Sequence, residues 1–583
     1  MNRRRFVMAT VIAWLIAIGL VAFAVRSGEP VSVADAPDPR AQCLSYAPYR
    51  LPGESPFGAR VRVSRERLET DFRLLASRTR CIRTYSVQLG LDQVPAVAQS
   101  LGMDVMLGVW IGRDPLENEA ELALATAVAN RYSTTVKSLI VGNEVLLRRE
   151  QPASKMAGYL EQVRRGTKVP VTYADVWEFW ERNADLAREV DFVTIHILPY
   201  WEDDPVGIDG AVAHIGDIHA RMQKVFAGKE LLIGETGWPG QGRMRRSARP
   251  GRIEQARFHR EFAVAARAAG WRYNLIEAFD QPWKRQLEGA MGGAWGLFDN
   301  VGEAKFPATG PVATDPNPAS RLGAAAAGGA LAVCLVLSNL VAGRWRPVLR
   351  PVSARGPVDR WLMLALALAV GVTAGIGLEA QWRYLFIWAR DPFEAGAIGA
   401  IAVCGLVLAL AALPGATAWP AGAAETSGAA GAAETGETAG TAGTAISGER
   451  IGPSWLDRAW PPVAAFVLFG LAVVAVLLAF DPRYRGFPIA LYGAPLAALL
   501  IRAMVGAEML VPRGERTVLG TIIVGCLAAN LGVEGLENTE AWQFAVIAAA
   551  LVYLLVVAPR RATVNRVSAI TPSSRPTAAG SNE

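Results

Sequence analysis

Residues 138–146 read Ser-Leu-Ile-Val-Gly-Asn-Glu-Val-Leu, an apolar run that stops on the polar pair Asn143 and Glu144. A short, β-branched, apolar segment bounded by polar residues is the pattern of a fully buried strand. Seven further runs of this kind flank it: CLSYAPY at 43–49, CIRTYSV at 81–87, DVMLGVW at 104–110, VPVTYAD at 169–175, DFVTIHI at 191–197, ELLIGE at 230–235 and YNLIEAF at 273–279. Longer helical stretches separate them. Eight such repeats over roughly 260 residues have the size and rhythm of a (β/α)8 barrel of the TIM type. An open doubly wound sheet is the alternative, but no glycine-rich phosphate loop follows the first run.

Polar and aromatic side chains gather where these runs end. Tyr46 lies in the first, Tyr85 in the second, Trp110 closes the third, and Tyr173 and Asp175 close the fifth. His196, Tyr200 and Trp201 follow the sixth, Glu235 and Trp238 the seventh, and Glu277 and Asp280 the eighth. Active sites of such barrels are built on the C-terminal face. Rings around carboxylates suit a sugar, whose apolar faces stack while its hydroxyls need charged or amide partners. Glycosidic cleavage requires two carboxyls, one to protonate the leaving oxygen and one to stabilise or attack the anomeric carbon. The fourth and seventh runs stand across the barrel, so Glu144 and Glu235 are the expected catalytic pair. Asn143 is placed to hold a sugar 2-hydroxyl. Loop glutamates engaged only in ion pairs are the structural alternative. Tyr46, Tyr85, Tyr173, Tyr200, Trp201, Trp238, Glu277 and Asp280 complete the expected substrate-binding set.

The motif VGNEVL at 141–146, followed by IGETGWP at 233–239, resembles glycoside hydrolase family 17, the retaining β-1,3-glucanases and β-glucan transglycosylases. IRTYS at 82–86, LGVW at 107–110, TYAD at 172–175, EAFDQPWK at 277–284 and WGLFD at 295–299 extend the resemblance over roughly residues 41–303. It implies that Glu144 is the acid/base and Glu235 the nucleophile. Lys284 matches a family lysine near the nucleophile and is expected to orient Glu235 and keep it ionised. Gln281 departs from plant members, which carry a glutamate there. A barrel joined to many spans is also similar to bacterial membrane proteins implicated in making periplasmic or extracellular β-(1,3)/(1,6)-glucan. The partners this implies are β-glucan, membrane lipid, and glucan synthase or export proteins.

Outside the barrel, expected at 41–305, the chain is apolar. The N-terminus has three arginines before roughly 20 apolar residues, enough to span a bilayer. It reads as a signal anchor with linker over 1–40, with a cleaved signal peptide as the alternative. After a Pro/Ala/Thr-rich tether at 306–322 come seven candidate spans near 323–343, 361–378, 395–413, 462–480, 487–505, 517–534 and 542–558. They form two transmembrane blocks, 323–419 and 461–560, around a low-complexity linker at 420–460, and end in a tail at 561–583. Arginines cluster in the 344–360 loop, near 513 and in the tail, whereas 535–541 holds Glu537 and Glu540 and no Lys or Arg. Positive-inside threading puts the N-terminus in the cytoplasm and the barrel outside a multi-pass inner membrane.

Cys43 and Cys81 each open one of the first two runs. Neighbouring parallel strands lie about 4.8 Å apart, within disulfide reach, and an exported domain faces an oxidising compartment. A Cys43–Cys81 bridge is therefore expected, with two buried thiols the alternative. No metal or cofactor is expected. His214 and His219 are five apart, off one helix face, Gly237–Gly242 lacks a phosphate-loop lysine, and no G-x-S-x-G elbow occurs. The net charge of +6 resides largely in arginines beside apolar runs, which argues against nucleic acid. The arginines flanking Met244 read as a solvated loop. A nucleotide-sugar synthase would need a cytoplasmic catalytic domain, which these segments do not provide. An inert glucan-binding or export scaffold is the remaining alternative.

Overall fold

Eight short parallel strands pair in sequence order and close on themselves in the computed structural model. They are β1 (Leu44–Ser45), β2 (Cys81–Arg83), β3 (Asp104–Val109), β4 (Val136–Asn143), β5 (Val171–Val176), β6 (Val193–His196), β7 (Leu231–Thr236) and β8 (Arg272–Leu275). The barrel and its transmembrane-type annex are described over residues 3–57, 61–341, 357–412, 455–481, 484–504 and 513–557. Helix α1 (Arg3–Gly28) precedes the barrel, and α2 (Arg65–Leu75), α3 (Val94–Ser100), α4 (Pro115–Arg131), α5 (Ala153–Gly166), α6 (Trp177–Arg182), α7 (Ile208–Val225), α8 (Arg252–Ala269) and the short α9 (Arg285–Glu288) surround it. Local signals set several starts. Ser64 caps α2 by accepting from the Arg67 amide. Asp114 caps α4, with Pro115 as the first helical residue.

Inside the barrel floor, Cys43 and Cys81 are joined by a disulfide. The bridge packs against Met106, Ile140, Ala174, Phe192 and Leu232. Linking residues 38 apart in sequence, it contributes about 2–4 kcal/mol in the chain-entropy account. A polar layer lies above it. Asn274 donates to Ser45 Oγ and to the Gly234 carbonyl, both at 2.8 Å.

The C-terminal half is helical: α10 (Ala319–Val341), α11 (Pro357–Trp388), α12 (Pro392–Ala412), α13 (Trp455–Phe480), α14 (Ile489–Met504), α15 (Arg513–Glu534) and α16 (Thr539–Val552). Among the described residues, seven helices, α1 among them, are long and apolar enough to cross a membrane. The expected span at 487–505 differs. Its helix, α14, has 16 residues, about 24 Å of rise against a hydrocarbon core of about 30 Å. Helix α11 runs ten residues past the expected end at 378, to Trp388. Most of the 344–360 loop, most of the 420–460 linker and the tail lie outside the described residues.

The arginine loop after β7 is solvated only in part: Arg246 and Arg249 are exposed, but Arg243 and Met244 are buried. Arg243 and Glu534 form a buried ion pair, their side chains 1% and 7% exposed. The Met244 amide donates to Glu540 at 2.9 Å, and Asn538 donates to the Met244 carbonyl at 2.9 Å. Arg285, after β8, donates to the Phe386 carbonyl at 2.6 Å. The loop after β7 thus docks on the α15–α16 turn and the loop after β8 on the end of α11. A buried guanidinium demands a carboxylate partner, and the acidic α15–α16 turn supplies it.

Candidate active site

Glu144 follows β4 in a left-handed conformation, φ 52°. Such a backbone is uncommon for a non-glycine residue and marks positions held by their surroundings. Its amide donates to the Ala174 carbonyl of β5 at 2.8 Å, and its carbonyl accepts from the Arg148 amide at 2.9 Å. Gly142, at φ 83°, makes the turn possible, because a Cβ there would lie 2.8 Å from Val145 and 2.9 Å from Met156. Glu235 stands at the end of β7 in register with His196 of β6.

The two carboxyls converge. One oxygen of each, together with a ring nitrogen of His196, lie within 4.8 Å of one another. His196 Nδ1 is 3.0 Å from Glu144 Oε1 and 3.8 Å from Glu235 Oε2. Burial works to raise the Glu144 pKa, but the His196 hydrogen bond and charge, with Arg148 and Arg83, outweigh it and hold the carboxyl below its ordinary value. Glu235 is gripped from below. Arg83 Nη1 reaches Glu235 Oε1 at 3.2 Å and the Gly234 carbonyl at 2.7 Å, and its Nη2 donates to Asn143 Oδ1. The Tyr85 hydroxyl lies 2.9 Å from both Glu235 Oε1 and Ser45 Oγ. Burial, then the Glu235 charge, push the Tyr85 pKa well up, so it stays a donor.

Lys284 Nζ sits 2.9 and 3.0 Å from the two oxygens of Glu277 and the Glu235 charge also acts on it, while Arg83 and Tyr85 make the hydrogen bonds to Glu235. Burial pushes Glu277 up to about 7 against that ammonium. Burial works to lower Lys284, but the charges of Glu277 and Glu288 outweigh it and hold Lys284 above its ordinary value. The two-pronged contact supports the ion pair.

Several expected sugar ligands face inward. Tyr46 is 1% exposed and donates to Asp71 at 2.9 Å, while its ring packs on Phe72 and Phe279. Tyr173 is buried with its hydroxyl on Asp175. Tyr200 and Trp238 are fully buried and donate to the carbonyls of Arg243 and Arg249. Asp280 accepts from Lys305 and from the Gly296 amide, at 2.8 and 2.9 Å. Gln281 is likewise buried and donates to the Ala47 carbonyl at 2.9 Å. These groups brace the loops. Of the expected set, Tyr85, Asn143, Trp201 and the Glu277–Lys284 pair remain beside the carboxyls or on the mouth loops. Arg83 and His196 had no expected role. An arginine inside an otherwise apolar run, and a histidine at a strand end beside two catalytic candidates, were the signals for them.

Asp175 ties the site to stability. Its Oδ2 accepts from Tyr173 and, at 3.2 Å, from the Leu146 amide in the turn bearing Glu144. Burial raises its pKa from 3.8 to about 6, with the Tyr173 hydrogen bond opposing. A carboxyl raised on folding binds its proton more tightly in the native state. Its contribution is therefore complete below about 3.8 and is lost as pH rises through about 6. The whole window is worth on the order of 3 kcal/mol. Unfolding of the full chain in detergent at pH 5 and 7.5 should show the wild type losing stability relative to Asp175→Asn. Parallel pH dependence in the two proteins would contradict this.

A family model described as the BtgE/BtgC glycoside hydrolase domain matches residues 43–296. A glucan 1,3-β-glucosidase of Schizosaccharomyces pombe is 30% identical over 231 residues, which are 37% of this chain and 72% of that protein. A glucan 1,3-β-glucosidase of Saccharomyces cerevisiae is 24% identical over 261 residues, 41% and 83% of the two chains. Among solved structures, the glycoside hydrolase family 17 β-1,3-glucanosyltransferase from Rhizomucor miehei is 25% identical with a TM-score of 0.39, covering 45% of this chain and 94% of its own.

Proposed function

We propose that this chain, which belongs to the BtgE/BtgC-type glycoside hydrolases and so to the family 17-like enzymes active on β-1,3-glucan, works with retention of configuration. The observation that carries this is the closeness of Glu144 and Glu235, one oxygen of each lying within 4.8 Å of the other. Retaining pairs stand about 5–5.5 Å apart and inverting pairs about 6.5–9.5 Å, the latter leaving room for a water.

Glu235, held by Arg83 and Tyr85, attacks the anomeric carbon. The C–O bond to the leaving glucan breaks as the ester to Glu235 forms, and Glu144 gives its proton to the departing oxygen. His196 Nδ1, 3.0 Å from Glu144 Oε1, orients the carboxyl for that transfer. In the second half, Glu144 takes a proton from water or from a glucan hydroxyl, which attacks the ester. Water gives hydrolysis and a sugar hydroxyl gives transfer.

The apolar helices and the arginine distribution support a multi-pass inner-membrane protein whose barrel lies outside the cytoplasm, in contact with lipid. There it makes or remodels β-glucan, and a glucan synthase or an export protein is a fitting partner. The full chain in detergent micelles, given laminari-oligosaccharides, tests the chemistry. Proton NMR should show the β-anomer as the first product, and mass analysis should show chains longer than the substrate if transfer dominates. An α-anomer formed first, or no turnover, would sink the reading.

A further inference from the structure

Aromatic side chains stand on opposite arcs of the barrel mouth. Phe57, Trp110 and Trp283, from loops after β1, β3 and β8, form one group, with Phe57 6.0 Å from Trp110 and 5.5 Å from Trp283 between ring centroids. Trp201, after β6, forms the other, its ring 6.0 Å from Tyr484 with planes inclined by 47°. In a closed ring ordered β1 to β8, β6 faces β2, so the two groups lie on either side of the carboxyls carried by β4 and β7.

Tyr484 does not belong to the barrel. It lies in the turn between α13 and α14, beyond the residues matched by the hydrolase family. The turn is pinned to the mouth loops. The Arg485 carbonyl accepts from Arg243 at 3.1 Å, and Arg243 lies over the Phe487 ring at 4.8 Å. Gly289, at φ 76°, packs so closely that a Cβ would lie 2.3 Å from the Tyr484 carbonyl oxygen. A side chain at 289 is therefore excluded both by conformation and by space. The loop held in this way carries Lys284, which pairs with Glu277, and Glu288, whose carboxyl feels the charges of Glu144 and Glu235. Trp201 and Tyr484 both remain partly exposed, as a stacking surface requires.

We propose that the helical half completes the glucan cleft, with Tyr484 and Trp201 forming a two-ring platform on which a distal glucose unit stacks. The glucan then lies between the barrel mouth and the outer face of the bundle, and the membrane half is part of the binding site as well as an anchor. This rests on the glucan-active reading above. Sugar faces are apolar and pack on rings, whereas the tyrosine hydroxyl is not needed for stacking.

The test compares a long substrate with a short one in the full-length chain. Tyr484→Ala should raise KM for laminarihexaose about 3- to 10-fold, the size expected for one lost ring contact, with kcat within about 2-fold. The same variant should leave kcat/KM for p-nitrophenyl β-laminaribioside, with two glucose units against six, at the wild-type value. Tyr484→Phe, which keeps the ring, should match the wild type on both. An equal change on both substrates, no change on either, or a Tyr484→Phe variant as weak as Tyr484→Ala would overturn the platform. Failure of the glucan reading looks different: the wild type itself would not turn over laminarihexaose.

Discussion

Glu235→Gln is expected to lower kcat on every glucan substrate by at least about 10^4-fold, because an amide cannot form the glycosyl ester. Glu144→Gln should behave differently. Natural glucans leave as alkoxides that need a proton, so their turnover should fall by about 10^2- to 10^4-fold. A nitrophenolate needs none. With an aryl laminaribioside, the Glu144→Gln chain should release a burst of phenol equal to the enzyme present and then stall, since no base activates the acceptor for the ester. Intact-mass measurement after the burst should find the sugar on the protein, and peptide mapping should put it on Glu235. Equal losses on aryl and natural substrates for both variants would remove the division of roles. A sugar attached to any other residue would remove Glu235 as nucleophile.

The barrel was legible because its signal repeats. Eight apolar runs ending in polar residues are hard to explain without a closed parallel sheet, and the two glutamate motifs fall at strand ends that open on one barrel mouth. What each strand-end side chain does was not legible. A strand alternates its faces, so a one-residue difference separates a ring in the cleft from one packed against a helix. Tyr46 and Tyr200 took the packed position and Tyr85 the open one. Long-range pairings were likewise invisible. Arg243 looked solvated because its carboxylate, Glu534, lies 291 residues along the chain, and nothing near Met244 announces it. The length of α14 was a boundary question, which hydropathy alone does not decide.

The same blindness to distance hid Arg83, whose replacement should have the second large effect. Its side chain is 1% exposed and joins three strands, touching Asn143 on β4 and Gly234 and Glu235 on β7 from its own place on β2. Glu235 is itself only 7% exposed, so water cannot replace the lost guanidinium. Removing one partner of a buried ion pair typically costs about 3–5 kcal/mol. If that cost falls on the reactive arrangement, kcat/KM drops by about 10^2- to 4 × 10^3-fold. Arg83→Gln should show this loss on long and short substrates alike, including aryl glycosides, because the nucleophile serves them all. Arg83→Lys should not restore full activity. An ammonium supplies charge to Glu235 but lacks the planar fork that also holds Asn143, so it should recover the first step in part while KM stays raised. Near-normal kcat/KM in Arg83→Gln would mean that Tyr85 alone suffices to hold Glu235.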